Sequence, residues 1–463
     1  MKRTICLLLA LTLLCLLLPS CAPAPPYRDA YASCGDTWYM GFGAAEIPLP
    51  AESDSPLYIA GYHGGREIEG VLDLPRAGAV WMDTGERGIL LIGIDCVGLG
   101  SGTVAEIRRR LEDFCRSTGC VSVNVYATHT HAGPDTLGLW GPAAVDGKNP
   151  DYMENLMTAA VTAAEAAYED RSAGTLSYGS AVPEDLLCDS REPVEYDPAI
   201  HQLRFVPMDN TKNGIRLLSY GAHAESLRGD NLMLSRDFPG VLSELVEDAC
   251  GDRVLFMPGA IGGLVMTREL TEPFDAEASM IATAEQLADA LLTITEEQTL
   301  TPSLGYSRVA VELPLDNTFF FFAKFLGILD NEITGGESET GYMLRSELGV
   351  LTAGSVTLAL IPGEIFPELV SGQGLTEGDP EALSSIASRH GAETLLVVGL
   401  CNDELGYIVP PGNFLVNEEL PYIETVTDAT GENHYEETNS VGKGTAAIIA
   451  RAFDEALAQM PEP

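Results

Sequence analysis

The sequence predicts an α/β fold of mixed, buried β-sheets flanked by helices. Strand-like apolar runs alternate with helix-like segments along the chain, and no repeat of solenoid or propeller period interrupts them. No linker-like stretch follows about residue 38, so residues 39–463 are expected to form one catalytic-size domain. In order, 88–95 reads as a buried strand and 103–114 as a helix. The helix carries Arg108, Arg109 and Arg110 on an outer face expected to be solvated. Residues 120–128 are β-rich, and 152–169 form an Ala-rich helix. Further strand-like runs are 215–220, 253–257, 356–361 and 394–398, each bracketed by helical or Gly/Pro-rich segments.

Composition narrows the partners. With 46% hydrophobic and 20% charged residues the chain is globular rather than disordered. Its 26 Lys+Arg face 68 Asp+Glu, a net charge of −42. No basic cluster is present to hold phosphates, which argues against nucleic acid. Such a charge favours a neutral or cationic small-molecule substrate.

Residues 1–20 read as a signal peptide: Lys2 and Arg3, an apolar run over 5–18, then Pro19 and Ser20. Leu18-Pro19-Ser20-Cys21 resembles the bacterial lipobox, in which the cysteine is lipidated. Cys21 is thus expected to anchor an extracytoplasmic lipoprotein to the bacterial cell membrane. Residues 21–38, opening with Ala22-Pro23-Ala24-Pro25-Pro26, are expected to be its tether. Seven cysteines lie beyond Cys21, an odd number at irregular spacing with no CxxC pair. They point to buried thiols rather than a disulfide framework or a thiolate zinc site.

Several familiar catalytic motifs are absent: there is no GxSxG, no Walker A loop, no HExxH and no GxGxxG after a strand. His129-Thr130-His131 directly follows an apolar strand and precedes a Gly-Pro turn. Two imidazoles there either line a cleft as metal ligands or form a structural pair. His223 follows the 215–220 strand, Glu364 the 355–361 run, and Tyr407 the 395–398 run. Each has an ordinary alternative: a hydrogen-bonded buried histidine, a surface carboxylate, a packed aromatic. Together they place ligand-type groups at the ends of four strands, and imidazole, imidazole and carboxylate are ligands of catalytic zinc.

The segment Ala127-Thr128-His129-Thr130-His131-Ala132-Gly133-Pro134 resembles the hallmark of the neutral/alkaline ceramidases and their bacterial relatives. Gly61-Tyr62, Asp95-Cys96, Gly221-Ala222-His223 with 231–240, Pro362-Gly363-Glu364, 399–407 and 434–442 fit the same family in order. The resemblance spans roughly residues 39–455. It implies zinc held by His129, His223, Glu364 and Tyr407, with His131 beside the metal as a proton-transfer or substrate-orienting group. It further implies that Arg191 and Tyr435 lie near the scissile amide. Two departures stand out. The place of the family's essential serine falls on Val265, and too few residues follow the closing motif for the usual C-terminal immunoglobulin-like domain.

What the resemblance implies is a zinc amidohydrolase, cleaving N-acylsphingosine or a related N-acyl amide by metal-activated water. The alternatives are a zinc hydrolase of another amide or ester, and a non-catalytic lipoprotein that keeps the metal site to bind a ligand. Phe319-Phe320-Phe321-Phe322, with Phe325, Leu326, Ile328 and Leu329, is the most apolar stretch beyond the leader. Ordinary core is one reading. The other has Phe320 and Phe321 lining a substrate channel beside the metal.

Overall fold

The structure is a computed structural model that describes residues 27–51, 55–143 and 145–462. The expected leader, Cys21 and the start of the tether lie outside the described residues. Residues 27–38, expected in the tether, belong to the fold instead: Ala30–Cys34 pairs antiparallel with Ser303–Pro314. Edge pairing supplies the backbone bonds that a free tether would leave to water.

The apolar runs form strands because both of their faces are covered. Val80 and Leu91 point to one side and Trp81, Leu90 and Ile92 to the other, all fully buried. Among the described residues two large sheets dominate, of nine and six strands. The larger runs Arg253–Pro258, Ile215–Tyr220, Ile200–Pro207, Ser172–Ala181, Trp38–Glu46, Arg76–Asp83, Ile89–Ile94, Ser122–Ala127, with Gln298–Thr299 also paired to Ser172–Ala181. The smaller runs Ala30–Cys34, Ser303–Pro314, Tyr342–Ala353, Val356–Leu360, Thr394–Val398, with Glu332–Gly335 also paired to Tyr342–Ala353. They stack face to face over a core that includes Leu91, Leu217, Leu351, Leu358 and Leu396. Helices Ser101–Arg110 and Pro150–Glu169, with Asp237–Cys250 and Ala276–Leu292, cover the outer face of the larger sheet. Leu383–Arg389 and Thr445–Ala458 cover the smaller. The result is four layers, α/β/β/α. None of the helices among the described residues is long and apolar enough to cross a membrane.

Three parallel pairs matter for function: Ile89–Ile94 with Ser122–Ala127, Ile215–Tyr220 with Arg253–Pro258, and Val356–Leu360 with Thr394–Val398. Chain leaving their carboxyl ends stitches the two sheets together. Gly399 N–H donates to Pro258 O (2.9 Å) and Asn402 N–H to Val125 O (2.7 Å). The Asn402 side-chain carbonyl accepts from Val125 N–H (2.9 Å).

One expectation fails in detail. Arg108 is not solvated: its Nε donates to Val123 O (2.9 Å) and its Nη2 to Glu347 Oε1 (2.6 Å). It fastens an outer helix to the far sheet. Arg109 and Arg110 do lie outward, paired with Glu106 and Glu154. All seven cysteines beyond Cys21 are unpaired, and Cys96, Cys115, Cys120 and Cys401 are buried.

Asp403 sits in the seam. Its Oδ1 accepts from Ser101 N–H (2.8 Å), Asn331 Nδ2 (2.6 Å) and Glu404 N–H (3.0 Å). Burial pushes its carboxyl up to about 7. Between the ordinary carboxylate value and that point the folded chain keeps a proton that the unfolded chain releases. Stability from this group is therefore full at low pH and is lost as pH rises through about 7. Asp403→Asn, neutral at every pH, is expected to remove that slope, at most about 1.4 kcal/mol per pH unit. Urea unfolding of both proteins at about pH 4.5 and about pH 7.5 checks this, with the variant gaining on wild type at the higher pH.

Candidate active site

The chain from Ser122–Ala127 leaves extended geometry at once, and His129 adopts a left-handed conformation (φ 65°). That conformation is costly for a residue with a Cβ and is kept where it aims a functional group. Its Nδ1–H donates to Val97 O (2.6 Å), which leaves Nε2 bare. His223, fully buried past Ile215–Tyr220, repeats the arrangement: Nδ1–H donates to Val265 O (2.9 Å). A parallel bridge between Thr130 and Ala224 sets the two segments side by side. His129 therefore neighbours His223, and His131 neighbours Glu225.

The three imidazoles His129, His131 and His223 bring ligand nitrogens within 4.8 Å of one another, all buried. His131 Nε2 lies 3.1 Å from His129 Nε2. Gly61 makes room for the His131 ring: at φ 100° a Cβ there would stand 2.4 Å from Cγ of His131. From the other sheet comes Glu364, whose two-residue strand Glu364–Ile365 pairs in parallel with Tyr407–Ile408, Glu364 opposite Tyr407. Glu364 Oε2 stands 2.9 Å from His223 Nε2 and 3.4 Å from His129 Nε2.

These contacts fit a metal ion. The bare His129 Nε2 and the carboxylate oxygen are both acceptors, and only a proton or a cation between them makes their approach favourable. Electrostatics agree. Burial raises the Glu364 carboxyl, but the His129 and His223 imidazoles outweigh burial and hold it well below the carboxylate range. Burial disfavours charge on His223, yet Glu364 outweighs it and raises the imidazole. His131 is driven well down by burial and by its two histidine neighbours. Burial and then Glu364 push the Tyr407 phenol far up.

His129, His131, Glu364, Tyr407 and Tyr435 all line one cavity, whose other walls include Leu137, Trp140, Phe320, Leu329 and Leu344. His223 stands behind them. Phe320 faces this cavity, whereas Phe321 packs against Tyr342 (ring centroids 5.1 Å) and does not line it.

Arg191 is also not at the cavity. Its guanidinium is buried and ion-paired with Glu432 (2.8 Å), Glu436 (2.6 Å) and Glu437 (2.9 Å), and its Nη2 donates to Asn413 O. Its donors are used within the protein, so it holds the 432–437 segment that carries Tyr435 instead of reaching a substrate. Val265 is buried in an apolar cluster, and only its carbonyl serves the site, accepting from N–H and Nδ1–H of His223.

Sequence reasoning missed Glu225 and Glu404. Glu225 is buried, accepts from Tyr62 O–H (2.7 Å), and lies 3.5 Å from His131 Nδ1. Its signal was present: His223-Ala224-Glu225 has the same spacing as His129-Thr130-His131. Glu404 lines the cavity, and burial together with Glu364 pushes its carboxyl well up.

No protein-family model matches the chain. No curated protein matches it either. Solved structures do. Neutral ceramidase from Pseudomonas aeruginosa aligns over 92% of this chain and 75% of its own, with a TM-score of 0.71 at 16% identity. A ceramidase complexed with C2 aligns over 92% and 76%, with a TM-score of 0.68 at 16% identity. The chain has the neutral ceramidase fold, and at its strand ends a buried histidine group able to hold a metal.

Proposed function

We propose that the protein is a zinc-dependent amidohydrolase of the ceramidase type, cleaving a long-chain N-acyl amide to a fatty acid and an amine. One observation carries this reading: the bare Nε2 atoms of His129 and His223 meet the Glu364 carboxylate at the polar end of an apolar cavity. The zinc ligands are His129, His223, Glu364 and Tyr407. Zinc held there supplies Lewis-acid polarisation of the carbonyl and acidified water.

This chain's residues do the rest. The apolar walls take the acyl chain and exclude water. His131 faces the reacting end through Nε2 and Glu225 through Nδ1, a pose suited to moving a proton to the leaving nitrogen. The Tyr435 phenol lines the cavity, stays protonated at neutral pH and offers an O–H to a developing oxyanion. Metal analysis and turnover of a panel of N-acyl amides and esters test the reading. Absence of bound zinc, or of turnover on every substrate, refutes it.

Val265 at the family serine's place favours a second reading, hydrolysis of a different amide or ester, which the same panel separates. The leader and the Cys21 lipid anchor remain part of the proposal, supported by residues 1–21 alone. Mass spectrometry of the processed N-terminus tests them.

Glu225→Gln is expected to lower kcat about 10–100-fold, the usual effect of losing a partner that orients a site imidazole. KM and zinc content should hold, as Glu225 touches neither the acyl pocket nor the proposed ligands. An unchanged kcat would remove Glu225 from the site.

A further inference from the structure

The helix Thr318–Phe325 has two apolar sides with different fates. Phe320 and Ala323 face inward, and Phe320 borders the site cavity. Phe319, Phe322 and Phe325, spaced by three, line the outer side with Leu326 just beyond the helix end. Their exposures are 50, 59, 80 and 60%. A contiguous aromatic stripe this exposed marks an interaction surface.

Its size and charge select the occupant. At about 150–250 Å² per phenylalanine, the exposed parts of the three rings amount to roughly 300–500 Å². A stable second-copy interface needs about 800 Å² per partner. A lipid interface needs no such area, since a short apolar face enters only about 5–10 Å into the headgroup boundary. The net charge of −42 repels an anionic surface, and Lys324 is the only charged side chain in the helix. The apolar surface is also continuous: the Phe319 ring lies 6.3 Å from that of Phe320, which faces the cavity.

We infer that the outer stripe of Thr318–Phe325 inserts into a zwitterionic lipid interface, giving a long acyl chain an unbroken apolar path to the cavity. This contact is separate from the Cys21 anchor, goes beyond the hydrolase reading, and requires neither metal nor turnover.

The test uses the full chain carrying Phe322→Trp or Phe325→Trp, with the three native tryptophans as background. Phosphatidylcholine vesicles should shift the added emission to shorter wavelength, and brominated acyl chains should quench it. Phosphatidylglycerol vesicles should produce a smaller shift. Emission that stays at its aqueous wavelength overturns the inference, whether the protein binds vesicles elsewhere or not at all. A shift that needs anionic lipid overturns the choice of surface. Emission already shifted without lipid, with a mass that doubles as concentration rises, assigns the stripe to a second copy and also overturns it.

Discussion

His223→Ala is expected to strip zinc from the purified protein and to lower turnover of an N-acyl amide by at least about 10³-fold. That factor is several kcal/mol of charge stabilisation at about 1.4 kcal/mol per decade. The reason is geometric. His223 is the imidazole that touches Glu364 most closely (2.9 Å), and Val265 O fixes its tautomer with Nε2 toward the site. The alanine also leaves Glu364 buried beside one fewer partner. Metal analysis of variant and wild type purified in parallel, followed by turnover, checks this. Full zinc occupancy in the variant would remove His223 from the ligand set, and retained turnover without zinc would end the metal reading.

Arg191→Ala is expected to cost about 3–5 kcal/mol of stability, the range for removing one member of a buried charge cluster. The Glu436 and Glu437 side chains beside it are 2% and 0% exposed, so neither carboxylate can turn to water once the guanidinium is gone. Glu437 is held below the ordinary carboxylate range: burial opposes this, and Arg191 is the foremost group overcoming it. Arg191→Lys should recover only part of the loss, because one ammonium cannot serve three carboxylates and the Asn413 carbonyl. Urea unfolding at neutral pH measures both variants. A loss below about 1 kcal/mol for the alanine would mean that the cluster opens to solvent.

The strands were legible because they are buried on both faces, so Ile89–Ile94, Ser122–Ala127 and Ile215–Tyr220 stand out as apolar runs. What apolarity cannot report is which sheet a run joins, and the face-to-face stacking was not readable. The expected helix over 103–114 divides at Leu111 into Ser101–Arg110 and Glu112–Thr118, a break that periodicity does not register. His129 and His131 converge for a reason other than strand alternation, since the strand has ended and His129 has turned left-handed. Arg108 looked like a surface cation because its partners, Val123 and Glu347, are remote in sequence or across layers. Arg191 misled in the same way: three carboxylates some 240 residues later claim its donors. The phenylalanine run has an inner and an outer side, which is why no single period describes it.

The seam between the sheets has a consequence for how the proposed metal would be acquired. His129 and His223 leave the nine-stranded sheet, whereas Glu364 and Tyr407 leave the six-stranded one. Neither half alone presents the full proposed ligand set, although the three imidazoles past the nine-stranded sheet already converge. A metal held by the proposed ligands would act as a clasp across the sandwich. Its binding energy would add to the free energy holding the layers together, about 4.1 kcal/mol with free zinc a thousandfold above the dissociation constant. On the zinc reading proposed above, removing the metal would therefore weaken the join between the two sheets as well as the chemistry, at the point where Glu364 and Tyr407 meet His129 and His223.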